Sequence, residues 1–346
     1  MKLMQTIAGG KVGGAEEFFV RLTTSFARRD LSQSVVMRKN LDRAERLNTV
    51  LIQPRYLPFG GVVDFCSVPG LAREIEEFNP TIILSWMARA TRITGHAIKK
   101  TNVKPVLIGR LGGYYDIKYF KSCDHLIGNT PDLVRYLIDL GWPPQRAHYV
   151  PNFVDDFSGK LISRQALDIP GSAKVVLAAG RLHRNKAFDI LIRALKKTTN
   201  IYLLVAGEGR DKQELETLAR TLEVNERIRF LGWRDDIQDL MATADMLVCP
   251  SRVEPLGNVI LEAWAAGLPV VAANSQGPSW LIQNDRNGLI TPVEDPDALS
   301  LAIKTIASDS GLAHKLAAAG RKCFEEEFRE EAVVQRYIDL FEKVSS

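Results

Sequence analysis

Two glutamates, Glu254 and Glu262, stand eight positions apart in the stretch SRVEPLGNVILEAWAAGLPVV, with Pro255-Leu256-Gly257 as a turn signal between them. The spacing of Val259, Ile260, Ala263 and Ala266 predicts a short helix, with Asn258 near its N-cap and Gly267 at the left-handed C-terminal position. Glu254 then lies in the loop facing the helix N-terminus, and Glu262 about one turn inside it, roughly 6 Å further on at 1.5 Å per residue. Free N–H groups between two carboxylates suit a molecule whose phosphate is flanked by two polyols; a capped surface helix with solvated acids satisfies the same residues. In AAGRLHRNKAFD, Arg181 and Lys186 fall between a strand-like run and a helix. Two cations there form a diphosphate clamp or a pair of solvated loop residues.

A third turn, AGGKVGGAEE, carries Gly9, Gly10, Gly13 and Gly14 ahead of a helix. It fails the dinucleotide fingerprint, because Lys11 stands where glycine is needed, and it fails the nucleoside-triphosphate loop, because Ala15 and Glu16 follow Gly14. A dehydrogenase or an ATPase is therefore disfavoured. The elements that must position these turns read as two βα series. MKLMQTIA, a helix over residues 15–28, SQSVVMR, a helix over 71–78, TIILSW, KPVLIG and HLIGN form the first, its later strands joined by basic connections. From Lys174 the second runs through KVVLAAG, IYLLVAG, RIRFLG, MLVCP and PVVAA, with helices over 187–196, 211–222 and 235–243 and the helix of the opening stretch. Two doubly wound parallel sheets follow, with turns at the carboxyl ends of strands as ligand sites. The join is VPNFVDDFSGKLISRQALDIPGS, and a last helix over 329–344 carries Val333, Tyr337, Leu340 and Phe341 on one stripe, placed to pack back on the first domain.

Length and composition agree: 346 residues suit two domains, and 46 % apolar residues suit a soluble globular chain. The N-terminal stretch is broken by Gln5 and Thr6 before it could serve as a signal peptide, which predicts a cytoplasmic protein. Cys66, Cys123, Cys249 and Cys323 are scattered without metal-ligand spacing and read as buried free thiols. Charge is uneven. Residues 1–150 hold 21 Lys and Arg against 13 Asp and Glu, a net +8, and the remainder holds 24 against 28, a net −4. The excess gathers in Arg89, Arg92, Lys99, Lys100, Lys104, Arg110, Lys118 and Lys121, interleaved with Trp86, Tyr114, Tyr115, Tyr119 and Phe120. Such a patch attracts lipid headgroups, phosphorylated glycans or nucleic acid, unless it is simply a solvated basic face.

GGAE at Gly13–Glu16, VPNFVD at Val150–Asp155, GRLHRNKAFDILIRAL at Gly180–Leu195, VAGEGRD at Val205–Asp211, FLGWRDDI at Phe230–Ile237 and the E-x7-E of Glu254 and Glu262 occur in order across nearly the whole chain. Together they resemble a retaining glycosyltransferase of the GT-B fold in the large group 1 (GT4) family, similar to bacterial lipopolysaccharide and cell-envelope glycan transferases. The resemblance implies an α/β chain of two Rossmann-like doubly wound domains with an interdomain cleft. Residues 1–152 would bind acceptor, residues 153–328 the nucleotide sugar, and residues 329–346 would return as a helix to the first domain. Arg181 and Lys186 would hold the diphosphate, Glu262 the ribose hydroxyls and Glu254 the donor sugar, with Glu254, Arg181 and Lys186 as the catalytic set. Gly13, Gly14, Leu256, Gly257 and Asn258 would approach the phosphates or sugar through the backbone, and Gly232 and Trp233 would flank the base.

The same resemblance implies a UDP-, GDP- or ADP-sugar donor, no metal, and an anionic glycan or glycolipid acceptor in place of nucleic acid. The basic patch adds peripheral contact with the anionic inner face of the cytoplasmic membrane. Glu254 would orient the sugar, since in this family the leaving phosphate itself is thought to take the acceptor proton. Three departures stand out. Where many members carry a His after the fourth strand, this chain has LIGRLGGYY; NSQGPSWLI replaces the usual Gly-Gly-x-Pro-Glu; and EDPDAL, which imitates a metal motif, sits before a helix as a capping turn. A nucleotide-sugar epimerase on the same fold and a non-catalytic nucleotide-sugar-binding partner are the alternatives. The first needs no acceptor, against the basic first domain, and the second needs no clamp.

Overall fold

The computed structural model describes residues 1–10, 13–60 and 64–345. It divides into two compact units, Met1–Asn152 with the chain from Glu330 onward, and Phe153–Arg329. The first unit runs β1 (Lys2–Ile7), α1 (Gly14–Ala27), β2 (Ser32–Met37), α2 (Leu41–Asn48), β3 (Arg55–Tyr56), α3 (Ser67–Phe78), β4 (Ile82–Trp86), α4 (Met87–Ile98), β5 (Val106–Leu111), β6 (His125–Gly128), α5 (Pro131–Asp139) and β7 (Ala147–Tyr149). Its strands lie in the order β3-β2-β1-β4-β5-β6-β7 and pair in parallel. Strand order reverses between β1 and β4, so the loops after these two strands flank the crevice at the carboxyl edge where such sheets take ligands. The strands read as continuous apolar runs because helices cover both faces, and β4 is buried at every position.

Helix α4 occupies what reads in sequence as a basic connection. Its buried side is made of Ile93 with Ala90, Ala97, Thr91, Thr94 and Gly95, so that apart from the isoleucine it consists of small or hydroxyl-bearing residues. Gly95 matters sterically: a Cβ there would stand 2.4 Å from the Ser122 hydroxyl, so its absence lets the 117–122 segment pack on α4.

The second unit runs β8 (Lys174–Ala179), α6 (Phe188–Leu195), β9 (Ile201–Ala206), α7 (Lys212–Thr221), β10 (Ile228–Gly232), α8 (Ile237–Thr243), β11 (Met246–Cys249), α9 (Asn258–Ala265), β12 (Val270–Ala273), α10 (Gln276–Leu281), β13 (Leu289–Thr291), α11 (Pro296–Ser308) and α12 (Ser310–Cys323). Its parallel order is β10-β9-β8-β11-β12-β13, with the switch between β8 and β11. Two cores sandwich the sheet, one around Phe188, Leu191 and Ile303, the other around Leu261, Trp264 and Phe324. Asp295 caps α11, accepting the N–H groups of Asp297 and Ala298 at 3.0 and 2.9 Å, which makes EDPDAL a capping turn.

After a π-helical turn at Phe324–Phe328, the last helix α13 (Glu330–Ser345) belongs to the first unit, with Val333, Tyr337, Leu340 and Phe341 buried. Tyr337 and Phe341 meet Phe26 of α1 at ring distances of 6.0 and 5.8 Å. The thiols differ from expectation, since Cys66 is exposed and Cys323 half-buried, leaving Cys123 and Cys249 as the buried ones.

Candidate active site

Because β8 and β11 are hydrogen-bonded neighbours, the loops leaving their carboxyl ends lie side by side. The β8 loop closes into a single 3₁₀ turn, Arg184–Lys186, capped by the His183 ring, which accepts the Asn185 N–H at 3.2 Å. The β11 loop is tied to it where Val253 N–H donates to the Asn185 carbonyl at 3.2 Å. Crowding at this edge explains a glycine: a Cβ on Gly207, itself at φ 147°, would stand 1.9 Å from the Gly180 carbonyl oxygen.

These loops bring Lys186 and Glu254 into direct contact, Nζ donating to Oε2. Glu254 is 7 % exposed, and Ser251 Oγ donates to the same carboxylate oxygen at 3.2 Å. Burial works against the Lys186 ammonium, but the charge and hydrogen bond of the adjacent Glu254 carboxylate, together with Cys249, hold the lysine above its ordinary pKa. Burial, reinforced by the Glu254 charge, pushes the Cys249 thiol up to about 11, so it is protonated at neutral pH. Arg181 is exposed and lies close enough to oppose the Lys186 charge.

Arg252, which the sequence reading passes over, fixes the pair of loops. Its Nη1 and Nη2 grip Asp189 at 2.8 Å each, Nη1 also donates to the Arg184 carbonyl at 2.7 Å, and Nε donates to Glu294 at 2.5 Å. Burial alone would raise the Asp189 carboxyl, yet the Arg252 hydrogen bonds hold it below the ordinary carboxylate range. No local pattern announces this bridge, because its partners lie 63 and 42 residues away from Arg252. Ser251 was legible only as a neighbour of Glu254.

Helix α9 starts at Asn258, the residue expected to cap it. Gly257, at φ 89°, is the N-cap and Asn258 is the first helical residue, because the left-handed turn needs glycine rather than a side-chain cap. No side chain caps the helix, and buried Leu256 precedes it. Gly277 allows its approach to α10: a Cβ there would stand 2.3 Å from the Leu256 carbonyl oxygen, while Gly277 N–H donates to the Glu254 carbonyl at 2.8 Å. Glu262 is half-buried one turn into α9. Gly232, at φ 69°, ends β10 and accepts the Gly207 N–H at 2.7 Å, and Trp233 beside it is 60 % exposed with its indole N–H on Asp235 at 3.0 Å.

Gly13 and Gly14 lie in the first unit, Gly13 as the N-cap of α1 without a side-chain hydrogen bond. Lys11, also singled out by the sequence, lies outside the described residues. Arg89, Arg92, Lys99, Lys100, Lys104, Lys118 and Lys121 are all exposed, with Tyr114 and Tyr119. Arg110 is not part of that surface. It is 1 % exposed at the end of β5, and Trp86 and Phe120 are likewise buried, because each alternates onto a covered face of the sheet or its flanking turn. Among the described residues, no group of three or more His, Cys, Asp or Glu side chains is placed to hold a metal ion.

Comparison with known proteins adds to this geometry. The family model "Glycosyl transferases group 1" matches residues 160–323, and "Glycosyltransferase Family 4" matches residues 12–156. The chain is 33 % identical over 96 % of both lengths to the lipopolysaccharide core biosynthesis glycosyltransferase LpsE of Rhizobium meliloti (strain 1021), and 32 % identical to LpsD of the same organism over 99 % of this chain and 98 % of that one. Among solved structures it is similar to Anabaena HepE in complex with UDP, at TM-score 0.88 and 22 % identity, covering 99 % of this chain and 100 % of that one.

Proposed function

Because the chain belongs to the group 1, family 4 glycosyltransferases and has their GT-B fold, we propose that it moves a hexosyl group, with retention, from a nucleoside-diphosphate sugar to a lipid-linked saccharide of the lipopolysaccharide core. The contact between Lys186 and Glu254 carries the reading. A glycosyl diphosphate presents an anionic phosphate and a ring of hydroxyls on either side of one anomeric C–O bond. Touching groups of opposite charge suit those two sides, the ammonium taking phosphate oxygen and the carboxylate accepting sugar hydroxyls.

As that bond breaks, positive charge grows on the anomeric carbon and negative charge on the departing diphosphate. Lys186 and Arg181 stabilise the latter, each preorganised donor contributing about 3–4 kcal/mol at comparable oxyanion sites. Glu254 orients the ring, Glu262 takes the ribose hydroxyls, and the uncapped N-terminus of α9 faces phosphate. The acceptor proton passes to the leaving phosphate on the same face. The exposed lysines and arginines of the first unit serve the anionic acceptor and the membrane surface that carries it.

The test is incubation with UDP-, GDP- and ADP-sugars, with and without core oligosaccharide on its lipid. Transfer only when acceptor is present, with the anomeric configuration of the donor, is expected. Conversion of donor without acceptor, or binding without turnover, would overturn the reading.

A further inference from the structure

Arg110 is left without an evident purpose by the fold of the first unit. Its guanidinium lies between Phe18 and Trp86, 4.6 Å from each ring centroid. Trp86 is itself pinned, its indole N–H donating to Gln5 Oε1 at 3.1 Å and its ring meeting the edge of Phe19 at 5.4 Å. Arg110 Nε donates to the Tyr337 hydroxyl at 2.8 Å and Nη2 to Asn152 Oδ1. Among the described residues Nη1 donates to nothing, and no carboxylate pairs with this 99 % buried side chain, 1 % of it being exposed. A charge so enclosed is costly unless an anion answers it.

The free edge faces a cleared space. Among the described residues, a side chain on Gly112 would have Arg110 Nη1 as its nearest neighbour, at 3.8 Å, and Ala15 Cβ at 3.9 Å, and one on Gly113 would meet nothing within 4 Å. Neither glycine has the left-handed φ that would demand it. Crowding among the described residues and backbone conformation therefore do not account for two glycines in succession. The uncapped N-terminus of α1 opens beside Ala15, and the neighbouring Glu16 carboxylate is engaged by the Gly10 N–H at 2.7 Å.

We propose that Arg110 Nη1, with the space over Gly112 and Gly113, is an anion subsite of the first unit that takes a phosphate or carboxylate group of a substrate. It rests on the transferase reading only for which substrate that is. Three sides of the guanidinium are held by rings and hydrogen bonds, so Nη1 is presented without further ordering.

The test titrates pyrophosphate into the arginine-labelled full chain and follows the Arg110 Nε–H resonance by NMR, identified by its loss in Arg110→Lys or its displacement in Tyr337→Phe. A saturable shift is expected in the wild type. In Gly112→Val it should need about 10-fold more pyrophosphate, the scale of one charge-assisted hydrogen bond, with the melting temperature within about 2 °C. Should the valine lower the melting temperature, Gly112→Ala, whose added carbon has 3.8 Å of clearance, carries the comparison. No saturable shift in the wild type, or the same titration in the glycine variants, overturns the proposal.

The source of the group is read separately. If it belongs to the donor, Gly112→Val weakens UDP binding. If it belongs to the acceptor, UDP binding is kept and KM rises for phosphorylated core oligosaccharide but not for its dephosphorylated form. Unchanged values in all three again overturn the proposal, whereas a wild type that transfers no sugar counts against the function and leaves the pyrophosphate titration readable.

Discussion

Lys186 and Glu254 are bound to each other as well as aimed at a ligand, and that changes what their removal does. Taken from sequence, both sit in ligand-facing turns with no structural duty. In the fold, Lys186→Ala strands a carboxylate that is 7 % exposed, which for a buried pair costs about 3–5 kcal/mol. Lys186→Ala is therefore expected to lower the melting temperature and to cut transfer about 100-fold or more. The double variant with Glu254→Ala should recover most of the stability and none of the turnover, as a melting and rate cycle would read. Additive losses of stability would show that the pair is not coupled. A second residue-scale effect concerns His125 and His148, whose rings meet Nδ1 to Nε2 at 3.0 Å. Burial, then the charges of His125 and Lys343, depress His148 to about 4, while burial and Arg146 lower His125. With a folded pKa below the unfolded value of about 6.5, their contribution is present above that pH and is lost as pH falls toward 4. Melting temperature should drop across that window in the wild type and less steeply in His148→Gln.

At the scale of elements, the turns depend on glycines where a backbone passes close. Gly207→Ala would drive a carbon to 1.9 Å from the Gly180 carbonyl, so the β8 loop carrying Arg181 and Lys186 must shift. A loss of several degrees in melting temperature together with lost donor binding is expected, where Gly113→Ala should leave the melting temperature alone. Calorimetry on both variants checks the contrast. The strands and most helices that bear these turns were legible because buried parallel strands are unbroken apolar runs and the flanking helices have a clear stripe. Helix α4 was not, since Ala90, Ala97 and Gly95 give it small buried residues. Glu254, Lys186 and Arg181 could be nominated from local turn chemistry, whereas their contact and the Arg252 bridge depend on the adjacency of β8 and β11, which only the fold supplies. Arg110 was misread as surface because a charge in a basic stretch looks solvated, and nothing nearby in sequence announces Phe18 and Tyr337 as its partners.

For the whole molecule, the seven exposed cations of the basic patch predict salt-sensitive binding to anionic surfaces, screened within about 8 Å at physiological ionic strength. Cosedimentation with anionic and neutral vesicles should show charge-selective binding at low salt that fades at high salt. A variant with Lys99, Lys100, Lys104, Lys118 and Lys121 changed to Gln should lose it while keeping UDP affinity; binding indifferent to lipid charge would remove the membrane from the reading. Helix α13 has a different consequence. The first unit begins at Met1 but takes Tyr337 and Phe341 from beyond Arg329, so the second unit is, in effect, inserted into it. During translation the 177 residues from Phe153 to Arg329 are made while the first unit waits for its last helix, a delay of roughly 10–35 s at about 5–20 residues per second. Through that interval the Phe26 surface has no aromatic cover and Arg110 has no Tyr337 hydroxyl. The half of the molecule synthesised first is thus the half completed last, and a nascent chain stopped short of α13 presents the ribosome-bound cell machinery with an unsealed apolar face.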